Sequence, residues 1–178
     1  MMTLPNILTV LRFIMVPVMA GLYITDHNTA ALIVFLLASL TDLLDGYIAR
    51  KFNQITDWGK VMDPLADKVM LLTVLCCFYF VDHAIPLFVL LIALIKECAM
   101  VVGGVFLYKK RDIVVYSKLY GKLATGLFFI GVVLTFLREH TAPYNLYMIY
   151  AALLLSITSM VLYAFNFTKG MNKENTKA

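Results

Sequence analysis

The sequence predicts an all-α integral membrane protein, with six transmembrane helices forming one domain over residues 1–178. Three observations lead there. Hydrophobic residues make up 62% of the chain and charged residues only 15%, against roughly 45–50% and about 25% in a soluble domain. The mean hydropathy is +0.86. The apolar residues fall in long runs separated at regular intervals by short polar breaks, and a helix needs about 20 of them to cross the hydrocarbon core. In lipid the backbone must satisfy its own hydrogen bonds, which long apolar helices do.

Taken in order, the predicted spans cover residues 7–24, 29–50, 61–81, 85–108, 119–137 and 144–167. No Lys or Arg precedes the first span and Arg12 interrupts it, so a cleaved signal peptide fits poorly and the segment is read as part of the mature chain. Asp26, His27 and Asn28 separate the first two spans, Asp82 and His83 precede Pro86 before the fourth, and Thr141 to Pro143 precede the sixth. Cys76, Cys77 and Cys98 lie within apolar runs, without the paired spacing of a disulfide framework or zinc site.

Taking alternate connections as one side collects Arg50, Lys51, Lys60, Lys109, Lys110, Arg111, Lys118, Lys122, Lys169, Lys173 and Lys177 there, against Arg138 on the other. The positive-inside rule then puts both termini and the second connection at the cytoplasmic face. The net charge of +4 is thereby accounted for as topology signal, and nucleic acid is not an expected partner. His27, His83 and His140 fall on the opposite side and read as ordinary surface residues.

The chemistry concentrates between Asp42 and Lys68. Asp42 and Asp45 are three residues apart, Asp63 and Asp67 four, so each pair projects from one helix face. Acids inside apolar spans are expensive and mark function by default. Four carboxylates brought together repel unless a cation sits among them, and such an oxygen-rich set suits Mg2+ or Mn2+. Gly46 and Ala49 leave room for a ligand or a close helix, and Arg50 can grip phosphate oxygens in bidentate fashion. Close packing and interfacial snorkelling explain those three residues equally simply.

Asp42, Asp45, Gly46, Ala49, Arg50, Gly59, Asp63 and Asp67 together reproduce a spaced signature: Asp, two residues, Asp-Gly, two residues, Ala-Arg, eight residues, Gly, three residues, Asp, three residues, Asp. In this the chain resembles the CDP-alcohol phosphatidyltransferase family, and its six-span pattern agrees over nearly its whole length. The opening Leu4-Pro5-Asn6-Ile7-Leu8-Thr9, followed by Arg12 and Pro17, is most similar to bacterial phosphatidylglycerophosphate synthases.

The resemblance implies transfer of a phosphatidyl group from CDP-diacylglycerol to an alcohol, with release of CMP, at the cytoplasmic face of a bacterial cell membrane. It implies that Asp42, Asp45 and Asp63 hold two metal ions, with Asp67 contributing to the metal site and acting as general base. Asn6, Gly46, Ala49, Arg50, Thr56 and Gly59 line the CDP-diacylglycerol site in this reading. Glycerol 3-phosphate is the expected acceptor, met by Arg111, Lys118 and Lys122, and a homodimer is a further expectation.

Three departures weaken the cationic acceptor site: Lys96-Glu97 stands where such synthases carry Arg-Glu, Gly104 where they carry a further arginine, and Ala124 where they carry a second lysine. Phosphatidylglycerol, as in cardiolipin synthases of the same fold, and other alcohols therefore remain alternative acceptors. A small cation transporter is the alternative from another class, but transport needs access from both sides, whereas these polar groups gather at one end. A catalytically silent scaffold is the third reading, and it predicts no metal-dependent nucleotide binding.

Overall fold

The computed structural model describes residues 4–52, 57–109 and 119–175, with side chains described at 6–48, 51–52, 59, 62–100, 121 and 123–162. Among the described residues all regular structure is helical: α1 Leu4–Ile24, α2 Asn28–Lys51, α3 Asp57–Phe80, α4 Leu87–Lys109, α5 Leu119–Phe136, α6 Arg138–Thr141 and α7 Tyr144–Asn175. The six long helices coincide with the six apolar runs. The short α6 was not anticipated, and α7 continues past residue 167. Among the described residues three helices contain stretches long and apolar enough to cross a membrane, Asn6–Ile24, Asn28–Ile48 and Tyr144–Leu162, and Leu123–Phe136 is a shorter apolar segment.

The chain divides into two compact units, Met1–Pro86 and Leu87–Ala178. In the first, α1 packs against both α2 and α3. Its buried residues, Thr9, Arg12, Val16, Met19 and Tyr23, alternate steps of three and four, the spacing that keeps one seam of a helix on its neighbours. The facing seam of α2 carries Ala31, Phe35, Ala38 and Asp45, and that of α3 carries Ala66, Met70, Val74 and Phe78. Ala31, Ala38 and Ala66 are at most 1% exposed, and such small residues let helix backbones approach closely.

Along this seam the chemistry changes from apolar at one end to polar at the other. The apolar end is closed by Tyr23, whose ring lies 5.5 Å from that of Phe78 and whose hydroxyl donates to the Asp82 carboxylate. There α1 stops in a Schellman turn. His27 N–H bonds to Leu22 O and Asp26 N–H to Tyr23 O, with Asp26 at φ 63° in the left-handed position usually given to glycine. At the other end of α2, the Lys51 ammonium lies 5.5 Å from the Tyr47 ring and 5.9 Å from the Phe52 ring, an aromatic and cationic pairing suited to a membrane interface.

In the second unit α5 packs along α7, which also meets α4. The α5–α7 seam is antiparallel. Gly131 lies against Ile149, so that an added Cβ would stand 2.8 Å from Ile149 Cγ1, while one at Gly121 would stand 3.4 Å from Ser159 Oγ. Thr135 and Asn145, both buried, meet nearer the α6 corner at 3.4 Å.

Candidate active site

The polar end of the first unit is built by three helices. Residues Asp42 and Asp45 continue the packed stripe of α2 that begins with Ala31 and Phe35, while Asp63 and Asp67 flank the buried Ala66 on α3. The register that packs the apolar end therefore delivers the acids to the same seam. Opposite them α1 presents Thr9 and Arg12, both fully buried.

Arg12 is the centre of the cluster. Its Nη2 donates to Asp45 Oδ2 at 2.6 Å and lies 3.0 Å from Asp42 Oδ1, while Nη1 donates to Asp67 Oδ1 at 2.7 Å. Thr9 Oγ1 donates to Asp63 Oδ1 at 2.5 Å. A guanidinium withdrawn from water costs several kcal/mol, roughly, unless fully paired, and here two of its nitrogens span acids from two helices. Its Nε is buried without a hydrogen-bond partner. Asp45 is 2% exposed, Asp42 38% and Asp67 47%, so the open side of the Arg12 cluster is formed by Asp67 and Asp42.

One guanidinium against four carboxylates leaves a formal excess of negative charge. Among the described residues no group of three or more His, Cys, Asp or Glu side chains is drawn together as a ready metal cage; three of the acids converge on Arg12 instead, and Asp63 meets Thr9. Their donor set still fits a hard divalent cation. Asp42, Asp45 and Asp67 each meet Arg12 through one oxygen and carry a second, and carboxylate oxygen is what Mg2+ and Mn2+ select.

The remaining predicted residues divide by position. Asn6 lies three residues before Thr9 on α1 and is half-buried, Gly46 is half-buried beside Asp45, and Gly59 is buried one turn before Asp63. The side chains of Ala49, Arg50 and Lys122 lie outside the described residues, as do Thr56, Arg111 and Lys118 altogether. On α4, Lys96 Nζ pairs with Glu97 Oε1 at 2.6 Å, which neutralises both charges within an apolar helix.

Sequence reasoning missed Arg12 and Thr9 as site residues, treating Arg12 as a break in an apolar run and part of an opening motif. The signal was available: stepping by three and four from Tyr23 through Met19 and Val16 lands on Arg12 and then Thr9, on the packed face of α1.

Long apolar helices and a carboxylate site at one end of their seam define a multi-pass membrane enzyme. The family model for CDP-alcohol phosphatidyltransferase matches residues 2–161, and the chain belongs to that family, whose members are enzymes of phospholipid biosynthesis. It is 31% identical to the CDP-diacylglycerol--glycerol-3-phosphate 3-phosphatidyltransferase of Aquifex aeolicus over an alignment 183 positions long, covering 97% of this chain and 100% of that protein. The enzyme of the same name from Rickettsia typhi is 45% identical over 73 residues, 39% of this chain and 41% of its own. A Schizosaccharomyces pombe protein named as a cardiolipin synthase (CMP-forming) / mitochondrial hydrolase fusion is 51% identical over 75 residues, 42% of this chain and 13% of its own.

Proposed function

We propose that the chain transfers the phosphatidyl group of CDP-diacylglycerol to glycerol 3-phosphate, giving phosphatidylglycerophosphate and CMP. The observation that carries this reading is the match over essentially the whole chain to the Aquifex aeolicus protein named for that reaction. The hydroxyl of the acceptor attacks the phosphatidyl phosphorus. A new P–O bond forms, the bridging P–O bond of the pyrophosphate breaks, and CMP departs with that electron pair. Asp67 takes the hydroxyl proton, a role supported by its being the most open of the acids on Arg12.

Asp42, Asp45, Asp63 and Asp67 are the residues that would hold two Mg2+ or Mn2+ ions in this reading. When bound, such ions neutralise the pyrophosphate and the charge developing on the CMP leaving group. Asn6, Gly46, Ala49, Arg50, Thr56 and Gly59 receive the donor headgroup while its acyl chains stay in lipid. Arg111, Lys118 and Lys122 attract the phosphate of the acceptor.

Six spans with both termini and the Asp42–Asp67 region at the cytoplasmic face complete the reading, supported by the one-sided distribution of Lys and Arg. A second acceptor is kept by a specific observation, the 51% identity to the protein named as a cardiolipin synthase fusion. Purified protein in mixed micelles with CDP-diacylglycerol, Mg2+ and either glycerol 3-phosphate or phosphatidylglycerol decides between them by CMP release and the lipid product. Turnover with phosphatidylglycerol and none with glycerol 3-phosphate rejects the acceptor assignment.

A further inference from the structure

Arg12 is the feature that the four-acid reading does not absorb. It is fully buried, it comes from a helix that supplies none of the acids, and its two terminal nitrogens divide their partners by helix. Nη2 takes Asp42 and Asp45 of α2, and Nη1 takes Asp67 of α3. Each of these contacts uses one carboxylate oxygen, so the guanidinium tethers each acid and leaves it a second oxygen. Thr9, one turn away, does the same for Asp63 with a single hydrogen bond.

We infer that Arg12 is a positioning residue. It acts as a resident cation whose fork locks the α2 acids against the α3 acid and stays in place when a divalent ion binds to their remaining oxygens. This rests on the reading of Asp42, Asp45, Asp63 and Asp67 as the metal-holding set. The physical case is one of pre-organisation. Left alone, carboxylates on separate helices repel and drift apart, and an entering ion must first collect them. A planar guanidinium holds them at fixed angles beforehand, whereas a lysine ammonium, a single point of charge on a flexible stem, cannot span two helices in that way. Groups that orient metal ligands in this manner change metal affinity by about 10–100-fold when replaced.

The opposite behaviour is equally concrete. If Arg12 merely fills the place of the ion, removing its fork frees the acids and metal binds more tightly. The test is Mn2+ binding to the full-length protein in detergent or nanodiscs, read from the electron paramagnetic resonance signal of free Mn2+, for the unaltered chain and for Arg12→Lys. The expected result is a Kd about tenfold or more higher in the variant, with kcat at saturating Mn2+ recovering most of the unaltered value. Equal or tighter binding in Arg12→Lys overturns the inference. Absence of Mn2+ binding by the unaltered chain overturns the metal reading beneath it, a distinguishable outcome.

Should Arg12→Lys not fold, the unaltered chain answers the question by itself. With 15N-labelled arginine, the restrained side-chain resonance of buried Arg12 is expected to persist on adding Mg2+ in excess over chelator. Its release into a freely rotating guanidinium signal shows eviction by the ion and rejects the inference.

Discussion

At the scale of single residues, Asp67 separates chemistry from assembly. One of its oxygens is held by Arg12, while the side chain is 47% exposed and can be met by an incoming hydroxyl. Asp67→Asn keeps the size and a hydrogen-bonding group but removes the proposed base. CMP release is expected to fall roughly a hundred- to ten-thousandfold, while the folded protein still binds CDP in an equilibrium assay. Turnover near that of the unaltered chain removes Asp67 as the base. The four acids were legible in the sequence because a carboxylate within an apolar run is expensive wherever it folds. Arg12 was not, because its bonded partners lie 33 and 55 positions away. Only the register of α1 against α2 and α3 shows that the cation belongs to the same site.

At the scale of elements, the apolar runs located the six long helices among the described residues, because a long apolar run can satisfy its own backbone away from water only as a helix. The break at Asp26 was read correctly, and α1 ends at Ile24 as expected; other ends moved, most of all that of α7, which runs on to Asn175, since composition does not encode the local turns and caps that end a helix. The small α6 lacks an apolar signature and was missed. The glycines of α5 separate by what surrounds them. At Gly131 a methyl group would press on Ile149 Cγ1 at 2.8 Å and on its backbone N at 3.2 Å, whereas at Gly126 nothing lies within 4 Å. Gly131→Ala is therefore expected to destabilise the α5–α7 pair by about 1–3 kcal/mol. Gly126→Ala should be neutral or stabilising by up to about 1 kcal/mol. Thermal unfolding of the two variants in the same detergent checks this, and equal midpoints refute the close crossing at Gly131.

At the scale of the whole molecule, the function depends on which face of the membrane the acids meet. The polar end of the first unit comprises the start of α1, the end of α2 and the start of α3, and Lys51 with Tyr47 and Phe52 marks its α2 side as an interface. In the proposed topology the excess of Lys and Arg in alternate connections puts this end in the cytoplasm. His27, before α2, and His140, in α6, then face the other side; both are exposed, as is Lys51, so a thiol at any of the three meets water or the membrane surface. In a chain with Cys76, Cys77 and Cys98 replaced by Ala, a membrane-impermeant maleimide should label His27→Cys and His140→Cys on intact cells. It should label Lys51→Cys only after permeabilisation. The reverse pattern puts the carboxylates outside and overturns the proposed cytoplasmic site. Labelling of His27→Cys but not His140→Cys would leave the acids where they are proposed and remove the six-span count.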